Sequence, residues 1–444
     1  MYKRITNITL CPGVPDGEPL TFIEGACIDI RDGVIEYAGK GEGAPATIGC
    51  EFIDGGGCLA VPGLANAHTH AAMSLLRGLG SDLRLQDWLT KKIFPAEDRL
   101  TADDVYVGAQ IAFVEMLRYG VTASADMYMF PDEVCDAAEA VGIRVAMCYP
   151  ATGQGSDDGG SIEKGADLLR RRHNTANGRV RIMLGAHAEY TSSPDIIRAL
   201  AEKARDLGAS IHAHVSETRA EVEGCFERHG VSPVKYFADL GLFDQPALAA
   251  HCVYLSDADI DILAAKGVFV AHNPVSNLKL ASGVAPVPAM LNAGVRVCLG
   301  TDGSASNNTL NLWEEIRLMS ILHKGISGDP ASISPSQTFH AATLAGMRAM
   351  GFERVGLLVP GWRADIALID RSGPHHWPIL EPAGDLVYST QGADVRMTIV
   401  DGIVRYIDGK FPGLDTDDLK KRACVAARRL TDGLIGGAEP IDRA

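Results

Sequence analysis

The 444-residue chain predicts an α/β protein: a (β/α)8 barrel of the TIM type carrying a small β-sandwich domain built from both chain ends. Three observations lead there. Between residues 60 and 358, eight short apolar runs alternate with amphipathic stretches. Most of those runs end in His or Asp. Residues 1–59 and 359–410 share a different texture, short alternating runs broken by Gly and Asp. A doubly wound sheet is built from the same strand-helix units, and strand counting alone does not separate the two.

Residues 1–59 contain ITNITL, ACIDIRDGVIEYAGK and ATIGCEFIDGGGCLA, and the Asp32-Gly33 pair between apolar runs is a hairpin signal. The barrel strands are read in CLAVPGLANAH, GVTASAD, IRVAMCY, VRIMLGAH, ASIHAH, LAAHC, GVFVAH and VRVCLGTD. Between them, TADDVYVGAQIAFVEMLRYG and SPDIIRALAEKARDLG are helical stretches, each closing on a glycine suited to a helix C-cap. WRADIALIDRSG and VRMTIVDGIVRYIDGK restore the β texture over 359–410, so the two chain ends are expected to share one domain. Residues 411–444 read as a helix with a polar tail, the KKR and ARR of this segment forming a solvated face.

Lys plus Arg (41) against Asp plus Glu (56) leaves a net charge of -15 with no basic stripe, which disfavours nucleic acid as a partner. No run of 18 apolar residues occurs, and MYKRITNITL is too short and polar for a signal peptide. The ten cysteines have no short repeated spacing and sit mostly among apolar residues, as buried thiols in a reducing compartment do. A soluble, cytoplasmic protein without a membrane partner is expected. Neither C-x-x-C nor H-x-E with P-C-x-x-C occurs, so zinc fingers and the compact zinc deaminase signature are unsupported. GEGAPA and GLGSD lack the strand-to-helix setting of a dinucleotide fingerprint, and Met116, Met127 and Met129 read as packing.

In a barrel the C-terminal strand ends converge on one mouth. His68 and His70 end the first run, His187 the fourth, His212 and His214 the fifth, His251 the sixth and His272 the seventh, while Asp302 follows the eighth. Two-residue alternation puts His68 and His70 on one face. His173, His229, His323, His340, His375 and His376 lie in helices or loops without matching partners and read as structural. Three imidazoles and a carboxylate suit a borderline divalent ion with one position left for water. Such an ion lowers the pKa of water from about 15.7 to near 7, which points to hydrolysis. The expected ligands are His68, His70, His214 and Asp302; His212 shares the interior face, but His214 is nearer the strand exit and Glu217. Glu217 is expected to protonate a ring nitrogen, His251 to stabilise a developing oxyanion, and Asp302 to pass a proton from water to the leaving amine. No Lys ends the fourth run to bridge a second ion, so one divalent metal is expected, Zn2+ first, with Fe2+ or Mn2+ sharing the same donors.

With PGLANAHTHAAMSLLRGL, DWLTKKIFPAE, GVTASADMY, IHAHVSET, HCVYL, AHNPVSNLKLASG, LGTDGSASNNTLNLWEEIR and PGWRADIALID, the chain resembles the amidohydrolase superfamily over nearly its whole length. Within it, the chain is similar to the methylthioadenosine/S-adenosylhomocysteine deaminase group, with related chlorohydrolases close by. The resemblance implies metal ligands at His68, His70, His214 and Asp302 and proton handling at Glu217 and His251. It also implies that Glu97 holds the ribose hydroxyls and that His187, Trp88 and Tyr149 contact substrate.

One position departs from the family pattern. Members that take S-adenosylhomocysteine carry an Arg just after the third strand, where RVAMCYPATG has Tyr149. Arg clamps a carboxylate through two parallel hydrogen bonds, whereas Tyr offers one neutral donor. Arg170, Arg171 or Arg172 would have to take its place. The implied reaction is hydrolytic removal of the 6-amino group of adenosine, 5′-deoxyadenosine or 5′-methylthioadenosine, and of S-adenosylhomocysteine if such an Arg reaches the site. The alternative is a deaminase or chlorohydrolase acting on a guanine-, pterin- or triazine-like ring, which the same catalytic residues would serve. Homo-oligomers are a further expectation, because such barrels often associate through exposed helices.

Overall fold

The structure is a computed structural model that describes residues 2–435; the end of the expected polar tail, 436–444, lies outside the described residues. Eight strands form the barrel: β1 (Leu64–Thr69), β2 (Val121–Met127), β3 (Arg144–Ala151), β4 (Val180–Ala186), β5 (Ile211–Val215), β6 (Ala247–His251), β7 (Phe269–His272) and β8 (Arg296–Leu299). Each pairs in parallel with its neighbour in sequence. A doubly wound sheet would reverse its strand order at a switch point, and this one does not.

The ring closes between β8 and β1 through few bonds. The Asp302 N–H donates to the His68 carbonyl at 2.9 Å. The Asn66 side chain accepts from the Thr301 N–H at 3.0 Å and donates to the Thr301 hydroxyl at 2.7 Å. Alternation sorts the strand residues. In β3, Ala146 and Cys148 share the inner face with Pro150, which lines the central cavity, whereas Val145 and Met147 join the apolar layer beneath the helices.

The two helical stretches read from sequence form as Ala102–Arg118 and Pro194–Leu207. Thr101 and Asp104 make a reciprocal capping box at the first, and the Ser193 hydroxyl caps the second. Gly208 closes the second helix in the left-handed region at φ 62°.

The strands Tyr2–Leu10, Ile23–Arg31, Val34–Lys40, Glu51–Asp54, Leu59–Pro62, Ile366–Ile369, Val395–Val400 and Ile403–Ile407 join both chain ends in one separate hydrogen-bonded sheet. Its own core includes Ile5, Ile28, Ile35, Ile366, Leu368 and Ile399. Asp32 and Gly33, at φ 51° and 80°, make the expected hairpin turn. The run CLAVPGLANAH divides in two: Leu59–Pro62 pairs with Tyr2–Leu10 and Ile366–Ile369, and β1 begins at Leu64. We therefore place the division between the two bodies at Gly63, where a Cβ would lie 2.3 Å from the Thr122 hydroxyl oxygen.

The C-terminal helix Thr416–Thr431 presents the expected solvated face, with Lys420, Lys421, Arg428 and Arg429 exposed. Arg422 pairs with Asp103 at 2.7 Å, and Arg429 donates to the Arg99 carbonyl at 2.9 Å, so both hold the helix to the barrel's first long helix and the turn before it. The cysteines are free thiols, all buried except Cys50 and Cys424. No described helix is long and apolar enough to cross a membrane.

Candidate active site

Strand ends bring the predicted residues to the C-terminal mouth of the barrel. A cavity of about 290 Å³ there is lined by His70, Trp88, Glu97, His187, His214, Glu217, His251 and Asp302. His68 lies beneath it, fully buried.

Hydrogen bonds set the tautomers. Nδ1 of His70 donates to the Met127 carbonyl and Nδ1 of His214 to the His187 carbonyl, both at 2.7 Å. Each therefore turns its Nε2 inward. Nε2 of His70 lies 3.4 Å from that of His214 and 3.3 Å from Asp302 Oδ1. Nε2 of His68 is 3.5 Å from the same oxygen and has no hydrogen-bond partner despite complete burial. Four donors around a tetrahedral ion at about 2.0–2.1 Å sit about 3.3–3.4 Å apart, so this spacing fits a divalent cation. The orphaned Nε2 of His68 also fits one, because a buried nitrogen lone pair is costly without a partner.

Burial holds the His68 ring down at about 3 and the His214 ring well below its usual range, so both are neutral donors. Burial opposes ionisation of Asp302, but its close contact with His68 and the neighbouring imidazoles keep its carboxyl well below the ordinary range. Ser276 and Ser306 donate to Asp302 Oδ2 at 2.6 and 2.7 Å, leaving Oδ1 toward the histidines.

Glu217 follows β5 on a strained turn. Ser216 has φ 52°, and the Glu221 carboxylate holds the turn by accepting the N–H groups of Ser216 and Glu217 at 2.9 and 2.7 Å. Burial, with the charge of Asp302 adding to it, raises the Glu217 carboxyl, which keeps a protonated form available. His251, at φ 73°, lies 3.9 Å from Glu217 and accepts its orientation from Asn277, 2.8 Å from Nδ1. Burial pulls the His251 ring down, yet the charges of Glu217 and Asp302 outweigh it and the net shift is upward. Glu97 takes the Tyr128 hydroxyl at 2.7 Å, and burial raises its carboxyl.

Several expectations need correction. Tyr149 does not line the cavity: it shares the parity of Met147, and it faces an outer depression with Lys164, Asp167 and Arg171. Arg170, Arg171 and Arg172 are taken by Glu163, by Asp132 and Asp167, and by Asp136 respectively, outside the cavity. His272 turns to the helix layer, 3.4 Å from His323. Met127 and Met129 do line the cavity, whereas Met116 is buried packing. His212, outside the expected ligand set, holds its Nε2 3.0 Å from Nδ1 of His68 and orients that ring from below. Sequence reasoning also passed over Glu221, Ser276, Asn277 and Ser306, whose only signal was their position in the helices that follow β5, β7 and β8.

A parallel barrel that converges three imidazoles and a carboxylate beside buried acid-base groups defines a metal-dependent hydrolytic enzyme. Residues 59–404 match the Amidohydrolase family, and the chain belongs to it. The chain is 45% identical over 372 residues to a 5-methylthioadenosine/S-adenosylhomocysteine deaminase of Dictyoglomus thermophilum, covering 84% of this chain and 87% of that one. It is 43% identical to a 5'-deoxyadenosine deaminase of Methanosarcina mazei, covering 97% and 98%. Among solved structures, an adenosine deaminase from Xanthomonas campestris with bound zinc superposes with a TM-score of 0.90 at 30% identity, covering 96% of this chain and 98% of that one.

Proposed function

We propose that the protein removes the 6-amino group of adenosine-type nucleosides by hydrolysis, giving the inosine-type product and ammonia. The observation that carries this reading is one cavity holding both Glu217, His251 and Asp302 and the Tyr128-braced Glu97. The deaminase relatives support it.

A divalent ion held by His68, His70, His214 and Asp302 would supply hydroxide from water near neutral pH. Zinc fits this donor set and accompanies the Xanthomonas campestris relative, while iron(II) and manganese(II) bind the same atoms. Glu217 donates its proton to the ring nitrogen beside C6 as oxygen attacks that carbon. His251 faces the developing negative charge with Nε2. Asp302, still a carboxylate, accepts one proton of the attacking water and passes it to the departing amine, so the C6–N bond breaks as ammonia leaves, and the proton left on the oxygen returns to Glu217 as the C6 carbonyl forms. Glu97 can accept from both ribose hydroxyls.

The cavity also bears on the 5′ substituent. Leu85, Trp88, Leu89, Phe94 and Met129 line it, and among the described residues no Lys or Arg does. A homocysteine tail would bring in an ammonium and a carboxylate with no cationic partner for the latter, a desolvation cost that a hydrogen or methylthio group avoids. Adenosine, 5′-deoxyadenosine and 5′-methylthioadenosine are therefore the preferred substrates, with S-adenosylhomocysteine the poorest. Ammonia release and the adenine-to-hypoxanthine absorbance change on these four compounds, with metal loaded, test the reading. Silence with all four would defeat it. Replacing Glu97 with Ala should raise KM for the ribosides about ten- to a hundredfold, the worth of a hydrogen bond to a charged group. An unchanged KM would favour deamination or dechlorination of a ribose-free ring.

A further inference from the structure

Far along the chain from the barrel ligands, the connection between the end-sheet strands Ile366–Ile369 and Val395–Val400 gathers two histidines and two aspartates. His376 is fully buried at its side chain, whereas His375 is 35% exposed. A carboxylate stands at each ring nitrogen of His376. Nδ1 lies 2.9 Å from Asp385 Oδ1, and Nε2 lies 3.3 Å from Asp394 Oδ2. In its neutral form the ring has one N–H and donates to only one of these two carboxylates. The same Asp394 oxygen also faces Nε2 of His375 at 3.0 Å and accepts the Gln391 N–H at 2.7 Å.

Two imidazole nitrogens thus converge on one oxygen at 3.0 and 3.3 Å. Ligands around a tetrahedral ion stand about 3.3 Å apart, the spacing also found at the barrel mouth. One donor atom from each of His375, His376 and Asp394 lies within 4.8 Å of the others. We propose that these three residues form a second divalent-cation site, separate from the barrel mouth, for an ion of the zinc class. Two nitrogen donors favour such an ion over calcium or magnesium, which take oxygen. Asp385 has the supporting place: by accepting from Nδ1 of His376 it presents Nε2 to the ion, as carboxylates behind metal-bound histidines do.

The ion would cross-link the turn Pro374–His376 to Gly392–Asp394. Tyr388, between them, meets Ser320 at 3.0 Å and Lys324 at 2.6 Å on the barrel helix Leu312–Ser327. The role is therefore structural: the ion pins the connection that docks the end sheet against the barrel.

Zinc per chain is counted in the full-length protein after loading with excess zinc and desalting. Wild type should hold two equivalents and His375→Ala one, with turnover unchanged because His375 touches nothing in the catalytic cavity. His214→Ala should lose the other equivalent, so failure at the barrel mouth and failure here read separately. In a His214→Ala background, zinc should still raise Tm, and adding His375→Ala should abolish that rise. Asp385→Asn should weaken the second site about 10–100-fold in a competition titration with a coloured chelator, an effect that loose surface binding would not show. A single equivalent in the wild type, or two in His375→Ala, overturns the proposal.

Discussion

Glu217 is placed by backbone bonds to Glu221 and kept protonatable by burial, so its chemistry depends on one exchangeable proton. Glu217→Gln keeps the shape and loses that proton; kcat should fall about 10²- to 10⁴-fold with metal content unchanged. Wild-type turnover in this variant would remove Glu217 from proton transfer. A second buried carboxyl controls stability rather than chemistry. Glu315 accepts from the Val275 N–H at 3.1 Å and the Asn307 amide at 2.7 Å, and burial pushes it up to about 8. An unfolded Glu titrates near 4.3, so between about 4 and 8 the folded chain keeps a proton that the unfolded chain has lost. Stability from this group therefore falls as pH rises through that window and levels off above it. In Glu315→Gln that slope should vanish: plotted against pH, the variant's Tm relative to wild type should climb from pH 5 to 8, and a flat difference would contradict the raised carboxyl.

At the scale of elements, the barrel's weakest seam lies between β8 and β1, where side-chain bonds from Asn66 to Thr301 supplement few backbone ones. Asn66→Ala leaves the buried Thr301 N–H unpaired and should cost about 1–3 kcal/mol in urea unfolding. Thr301 precedes Asp302, so the variant should also retain less metal. Most elements were legible in sequence because each carries a local signature: an Asp-Gly turn at 32–33, glycine after Leu207. The splitting of CLAVPGLANAH into two strands was not. Two strands of different sheets run together there as one apolar stretch, and only their hydrogen-bonding partners tell them apart.

Across the whole molecule, Arg144 at the start of β3 ties the barrel to the end sheet. It pairs with Asp365 through two bonds, at 2.7 and 2.8 Å, and with Asp401, which Arg363 also holds at 2.6 Å. All but Arg363 are buried. Arg144→Ala strands two buried carboxylates and should destabilise the protein by about 3–5 kcal/mol in denaturant. A loss below 1 kcal/mol would mean that Arg363 and Arg179 suffice.

The residue types and their places at strand ends were enough to nominate the ligands, Glu217, His251 and the barrel, because strand alternation and βα periodicity are local properties of a chain. That Pro150 rather than Tyr149 meets the cavity, and that His212 sits beneath His68, were decided only by folding. Which face of a strand meets the cavity, and how deep a ring sits below the mouth, depends on packing between residues far apart in sequence. The two-carboxylate embrace of His376 belongs to the same class, since Asp385 and Asp394 reach it only when the connection has folded back on itself.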